Sequence, residues 1–149
     1  MTGPAPSDDA CEFCAIARGE DTSVETICED QDWIAFFPPE PATVGHTLVI
    51  PKVHVRDFLG LDRDVGCALM EGIGRVGRAI KDALQPDGMN LISSSGEAAS
   101  QTVFHVHFHL VPRRSGDRFG DIWPPKRPMD EELREDAADL VREACARTN

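Results

Sequence analysis

The sequence predicts an α+β fold, in which an antiparallel sheet is combined with one long helix and a C-terminal helix. Three observations carry that prediction. Two short runs rich in β-branched and aromatic residues, 24–29 and 33–37, flank the polar turn Asp30-Gln31-Asp32, which is a hairpin pattern. Between 65 and 84, apolar residues return at steps of three and four, the period of a helix. The stretch HVHFHL from His105 to Leu110 alternates strictly, the period of a strand.

The elements follow in order. Residues 1–9 hold Pro, Gly, Ser and Asp without periodicity, so an unstructured tail is expected there, ahead of a single domain over 10–149. A short helical turn fits 10–18, ended by Gly19. After the hairpin, the three prolines and the glycine of FPPEPATVGH make a loop, and Thr47 to Ile50 is a short buried strand stopped by Pro51. Asp62 can cap a helix reaching Leu84, with Val65, Leu69, Ile73, Val76, Ile80 and Leu84 on one stripe. Gly66, Gly72, Gly74 and Gly77 weaken its intrinsic propensity, so another surface should pack closely there. Strands are expected at 89–94 and 102–111, around the loop SSGEAASQ. A last helix over 130–146 lines up Leu133, Ala137, Leu140, Val141 and Ala144.

Composition narrows the function. A net charge of -11 argues against a general nucleic-acid binder, which needs cations for the phosphate backbone. No apolar run approaches the roughly 20 residues of a membrane helix, and MTGPAPSDDA does not read as a secretion signal. A cytoplasmic protein without a membrane partner is therefore expected. Arg113, Arg114, Arg118, Lys126 and Arg127 cluster beyond the histidine stretch, where a small anion is electrostatically reasonable. Five cysteines, an odd count, do not suggest a disulfide framework. Cys28, Cys67 and Cys145 sit among apolar residues and read as buried small hydrophobes.

Cys11 and Cys14 differ, because their C-x-x-C spacing with two distant histidines makes a plausible tetrahedral zinc set. The second pair would come from among His46, His54, His105, His107 and His109. On a strand, neighbouring imidazoles of one face root about 6.6 Å apart. Two of the three in HVHFH can therefore share one ion, and the third, about 13 Å from the first, needs another role.

These residues also carry a resemblance. His105 to Val111 matches His-φ-His-φ-His-φ-φ, with φ apolar, and so resembles the motif of the histidine triad (HIT) family. GHTLVIPKVH (45–54) resembles the family's other signature, and CEFCAIARGE (11–20) resembles the start of its Hint-like bacterial members. Order and spacing agree from Cys11 to Arg114.

The resemblance implies a five-stranded antiparallel sheet with one long helix, in a homodimer. It implies attack on the α-phosphorus of a nucleoside phosphate or phosphoramidate, with His107 as nucleophile and a nucleotidyl-histidine that water cleaves. His109 would contact the phosphate, His46 would support the cluster, and Gln101 and Thr102 would reach phosphate or leaving-group oxygens. The metal ligands of zinc-bearing members correspond to Cys11, Cys14, His54 and His105. The zinc would be structural, and His107 would be oriented without being a ligand.

Two stretches depart from the family's pattern. Phe36-Phe37-Pro38-Pro39-Glu40-Pro41 has proline where members carry the acidic residue that accepts from the ribose hydroxyls. Ser94-Ser95-Gly96 stands where Asn-Asn-Gly is common, which exchanges an amide for a shorter hydroxyl. Phe36 and Ser94 remain candidate substrate contacts within these stretches. In the segment 115–128, Trp123 either borders a nucleotide site or packs on a dimer surface. Three functions follow from the resemblance and its departures. They are a nucleotide phosphoramidase acting on purine derivatives, a diadenosine polyphosphate hydrolase helped by Arg113, Arg114 and Arg118, and a catalytically weak nucleotide-binding or protein-interaction module.

Overall fold

Asp30 closes the first hairpin. Its carboxylate accepts hydrogen bonds from the amides of Asp32 (2.8 Å) and Trp33 (3.1 Å), and its own amide donates to the Trp33 carbonyl (3.0 Å). In the computed structural model, which describes residues 8–148, this turn joins β1 (Glu25–Glu29) to β2 (Trp33–Phe37). β3 (Thr47–Pro51), β4 (Gly88–Ile92) and β5 (Phe108–Arg113) complete a five-stranded sheet in the order β1-β2-β3-β5-β4. Each neighbouring pair is antiparallel. The fold is α+β, as the sequence predicts.

The sheet has two buried faces because β2 and β3 are apolar at nearly every position. On one face Trp33, Ala35, Val49, Val106 and Leu110 meet α2 (Arg63–Leu84) through Leu69, Ile73, Val76 and Ile80. On the other, Ile34, Phe36, Leu48 and Ile50 meet Phe13 and Ile16 of α1 (Glu12–Ala17). Asp62 caps α2 by accepting from the Val65 amide at 2.9 Å, an arrangement worth about 1 kcal/mol.

Of the four helix glycines, Gly72 carries the close approach. A Cβ there would lie 2.5 Å from Cδ2 of Trp33. Gly66 has open space around it.

The described chain divides after Phe119 into two compact units. The second contains α3 (Glu131–Arg147), capped by Asp130, whose carboxylate accepts from the Leu133 amide. None of its residues is buried, and Leu133, Leu140 and Val141 are exposed. Trp123, in the same unit, is exposed as well.

Several expectations are corrected. Most of the tail at 1–9 lies outside the described residues, but Asp8 and Asp9 form a 3-10 turn with Ala10. Cys67 and Cys145 are exposed, and Cys28 is only half-buried. Cys67 lies two positions from both Val65 and Leu69, about 200° around the helix from each, and so points away from the stripe. Cys145 lies on α3, which has no buried residue. The strand expected at 102–111 begins only at Phe108, because β3 pairing ends at Val49–Phe108 and β4 pairing at Ile92–His109. Among the described residues, no helix is long and apolar enough to cross a membrane.

Candidate active site and metal centre

Residues 105–107 leave the ladder but keep the alternation of faces. Val106 still packs with Leu110 in the cluster against α2, while Phe13 of α1, on the opposite face, has the rings of His105 and His107 as neighbours. Other hydrogen bonds replace the ladder. The Val106 amide donates to the Val55 carbonyl (2.6 Å), and the Ser93 hydroxyl donates to the His107 carbonyl (2.8 Å). Under Phe13 of α1, His105 and His107 are buried, at 0% and 8% exposure.

Cys11, Cys14, His54 and His105 converge, and one ligand atom from each lies within 4.8 Å of all the others. Cys14 Sγ is 3.2 Å from His54 Nδ1 and 3.4 Å from His105 Nδ1, and Cys11 Sγ is 3.5 Å from His105 Nδ1. Around a tetrahedral zinc, sulfur and nitrogen ligands stand roughly 3.5 Å apart, so the spacing fits a metal. The tautomer fits too. His105 Nε2 donates to the Pro51 carbonyl at 2.9 Å, which leaves the Nδ1 lone pair facing the thiols. Burial, with Cys11 beside it, pushes the Cys14 thiol up to about 12, so a thiolate here calls for a nearby cation. These four residues could hold a metal ion.

His107 is not one of the converging four. Its Nδ1 donates to the His105 carbonyl at 2.8 Å, so the neutral ring has its lone pair on Nε2. His109 lies beside it, with ring centroids 5.0 Å apart, and His46 Nε2 is 2.9 Å from His109 Nδ1. The Ala42 amide donates to His46 Nδ1 at 3.0 Å. Burial lowers His46 and His107 below the ordinary imidazole range. His109 falls to about 4 through burial first, then through the neighbouring His107 and His46. The Gly45-His46 step needs glycine, because φ is +85° there and a Cβ would strike the Leu84 side chain.

The structure brings His46, His107 and His109 together, but the expected substrate contacts fare differently. Gln101 is 2% exposed, and its amide is fully engaged with the backbone. It accepts from the Gly96 amide (2.8 Å) and donates to the carbonyls of Arg56 (2.8 Å) and Val103 (3.1 Å). Gln101 therefore fixes the loop that leads into His105. Thr102 is exposed and Ser94 is half-buried. Phe36, expected as a substrate contact, is a core residue at 1% exposure, packed edge-on against Phe13. Its place on β2 puts it on the α1 face.

Two of the five basic residues, Arg113 and Arg114, are engaged. Arg113 forms a two-pronged pair with Asp117 (2.7 and 2.9 Å) and bonds Asn90, holding the Asp117 carboxyl well below the usual range. Arg114 caps the C-terminus of α2 through the carbonyls of Leu84 and Gln85.

Two residues were missed from sequence. Phe13 stands between the two thiols of C-x-x-C, and its ring is perpendicular to that of His107 with centroids 5.2 Å apart. Ser93 anchors the His107 carbonyl. The apolar character of Phe13 signalled only a core position, and nothing local marks Ser93.

An α+β sheet carrying a Cys/His cluster beside the grouped imidazoles of His46, His107 and His109 defines a histidine triad protein. The chain belongs to the HIT family: residues 20–116 match the HIT domain. It is 38% identical over 114 residues to "Protein hit" of Bacillus subtilis strain 168, covering 76% of this chain and 78% of that protein. Against "Adenylylsulfatase HINT3" of Arabidopsis thaliana it is 32% identical over 134 residues, covering 90% of this chain and 64% of that protein. Among solved structures, a Streptococcus mutans UA159 protein superposes with a TM-score of 0.83 at 38% identity, covering 97% of this chain and 91% of the other. A Zn-bound histidine triad family protein from Mycobacterium smegmatis has a TM-score of 0.70 at 36% identity, covering 95% and 97%. The HIT match begins after Cys11 and Cys14, so those thiols join the site by geometry.

Proposed function

We propose that this chain is a nucleotidyl hydrolase, with purine nucleoside phosphoramidates as its substrate class and His107 as its nucleophile. One observation carries the reading: the 2.8 Å hydrogen bond from His107 Nδ1 to the His105 carbonyl. It orients the ring and leaves the Nε2 lone pair for attack, the arrangement that nucleophilic catalysis requires. Nε2 attacks the α-phosphorus, the bond to the leaving nitrogen breaks, and the amine departs with a proton from solvent. Water then cleaves the nucleotidyl-histidine to release a nucleoside monophosphate. His109 meets the phosphate, and Gln101 acts by holding the 96–101 loop rather than by touching substrate. The name of the Arabidopsis relative, an adenylylsulfatase, agrees with chemistry at an adenylyl phosphorus.

The ion at Cys11, Cys14, His54 and His105 is, in this reading, zinc, which two thiolates and two imidazoles favour. The Zn-bound Mycobacterium smegmatis relative supports the choice. Its contribution would be structural: held by Cys11 and Cys14 beside α1, by His54 and by His105, it would tie these segments together and steady the one that carries His107. A homodimer is supported by the open edge of β4, with Leu91 exposed on it, and by the exposed Met70 on α2. A cytoplasmic setting suits five free cysteines.

The diadenosine polyphosphate reading loses support, since Arg113 and Arg114 are engaged within the chain. Single-turnover reaction with adenosine 5′-phosphoramidate tests the proposal. Wild type should form a covalent adenylyl adduct and release AMP, and His107→Ala should do neither. No adduct and no AMP from wild type with adenosine, guanosine or diadenosine compounds would leave a nucleotide-binding module instead.

A further inference from the structure

The loop between β2 and β3 holds Pro38, Pro39 and Pro41, which have no amide hydrogen to give. Ala42 is the first residue after them that does. Its N–H points at His46 Nδ1 (3.0 Å), and the loop is closed behind it by the His46 amide donating to the Thr43 carbonyl (3.1 Å).

An amide N–H can only donate, so His46 Nδ1 must be the unprotonated nitrogen of that ring. Neutral His46 therefore carries its hydrogen on Nε2. Nε2 lies 2.9 Å from His109 Nδ1 and donates to it, so the hydrogen of neutral His109 in turn sits on Nε2. Protonating His46 at Nδ1 would set two N–H groups against each other. His46 is only 7% exposed, so bulk water has little access to relieve that conflict.

We propose that Ala42 is a positioning residue, whose backbone N–H sets His46 and, through it, fixes His109 as an Nε2–H donor beside the Nε2 lone pair of His107. Two imidazoles with centroids 5.0 Å apart thereby carry complementary groups: a nucleophilic lone pair on His107 and, on His109, a hydrogen-bond donor for a phosphoryl oxygen. The proline-rich loop, which has lost the acidic residue expected for the ribose, keeps a task its backbone alone performs. Its rigidity holds one N–H in place. The inference rests on the proposed role of His107 for its catalytic meaning, but the proton arrangement stands on geometry alone.

The test is nitrogen NMR of uniformly 15N-labelled, zinc-loaded protein. The expected result has Nδ1 unprotonated and Nε2 protonated in both His46 and His109, with the reverse in His107. Couplings across the hydrogen bonds should join Ala42 N to His46 Nδ1 and His46 Nε2 to His109 Nδ1. Ala42→Pro removes the donor and should abolish this ordered pattern, while Ala42→Gly, which keeps the N–H, should retain it. In single turnover, Ala42→Pro should lower the rate of adduct formation at least about tenfold with little change in KM. A protonated His46 Nδ1 in wild type would overturn the inference, as would an unchanged pattern in a folded Ala42→Pro. Should that variant fail to fold, the wild-type couplings decide. Wild type with the expected tautomers but no adduct formation would instead count against the proposed function.

Discussion

The ring of Phe13 stands at 89° to the ring of His107, with centroids 5.2 Å apart, and at 71° to that of His105, 6.0 Å away. One aromatic side chain thus touches both a metal-ligand candidate and the nucleophile candidate, and it lies between the two cysteines. Whatever fixes Cys11 and Cys14 also fixes the wall against which His107 rests. Phe13→Ala should cost about 3–5 kcal/mol of stability, as large core truncations do. Phe13→Leu, which keeps most of the volume, should fold yet release the His107 ring. Its Cε1 proton should move in the NMR spectrum as the ring current disappears, and adduct formation should slow. A variant with an unmoved His107 resonance and wild-type rate would reduce Phe13 to ordinary core.

Gly72 offers a test on the opposite face of the sheet. An exposed helix glycine gains about 1 kcal/mol when replaced by alanine. At this position, however, the methyl group would enter the Trp33 ring, 2.5 Å from Cδ2. Overpacking typically costs 1–3 kcal/mol, so Gly72→Ala should be neutral to destabilising by about 2 kcal/mol. Gly66→Ala, with open space around it, should stabilise. Denaturant titration of both variants reads the contrast, and a stabilised Gly72→Ala would show that Trp33 yields.

The hairpin, β3, α2 with its Asp62 cap and α3 were legible because each rests on local chemistry: turn residues, period and capping. The Cys11, Cys14, His54 and His105 set was legible only through the family resemblance, since spacing left five histidines as candidates. What stayed hidden depends on pairs distant in sequence. The end of the β5 ladder depends on where β3 and β4 stop, and the capture of Gln101 depends on the Arg56 carbonyl 45 residues away. Arg113 and Arg114 read as free cations until Asp117, Asn90 and the end of α2 came into contact with them. The helix of α3 was legible as a pattern, and Leu133, Leu140 and Val141 on it are exposed.

The half-buried imidazole of His109 predicts a pH dependence of stability. His109 is held at about 4 in the folded chain, against an ordinary value near 6.5. Between those values the unfolded chain binds a proton that the folded chain refuses, so stability rises with pH across the window. The contribution is complete above about 6.5 and is lost as pH falls toward 4. His109→Asn removes this term, so the advantage of wild type over the variant should shrink as pH drops from 7 to 5. Paired denaturant titrations at the two pH values check it, with the difference cancelling what the metal cluster contributes to both proteins. An advantage that is constant with pH would mean that His109 titrates normally.

Metal removal tests the cluster at Cys11, Cys14, His54 and His105 most directly. Elemental analysis should find one zinc per chain, and Cys11→Ala or His54→Ala should lose it. A ligand present at a thousand times its Kd adds about 4 kcal/mol to the folded state. In a chain of 149 residues that corresponds to roughly 8–16 °C in Tm, so chelation should lower the unfolding temperature by that order. The Cys14 thiol, pushed up to about 12 when no cation is near, should then react with alkylating reagents only slowly after chelation despite its loss of a metal partner. Partial retention of activity after chelation would fit a structural ion, because His107 is tied to the His105 carbonyl by its own hydrogen bond. Unchanged Tm, with no zinc found in wild type, would reduce the four residues to a buried cluster of thiols and imidazoles and would require another anchor for α1.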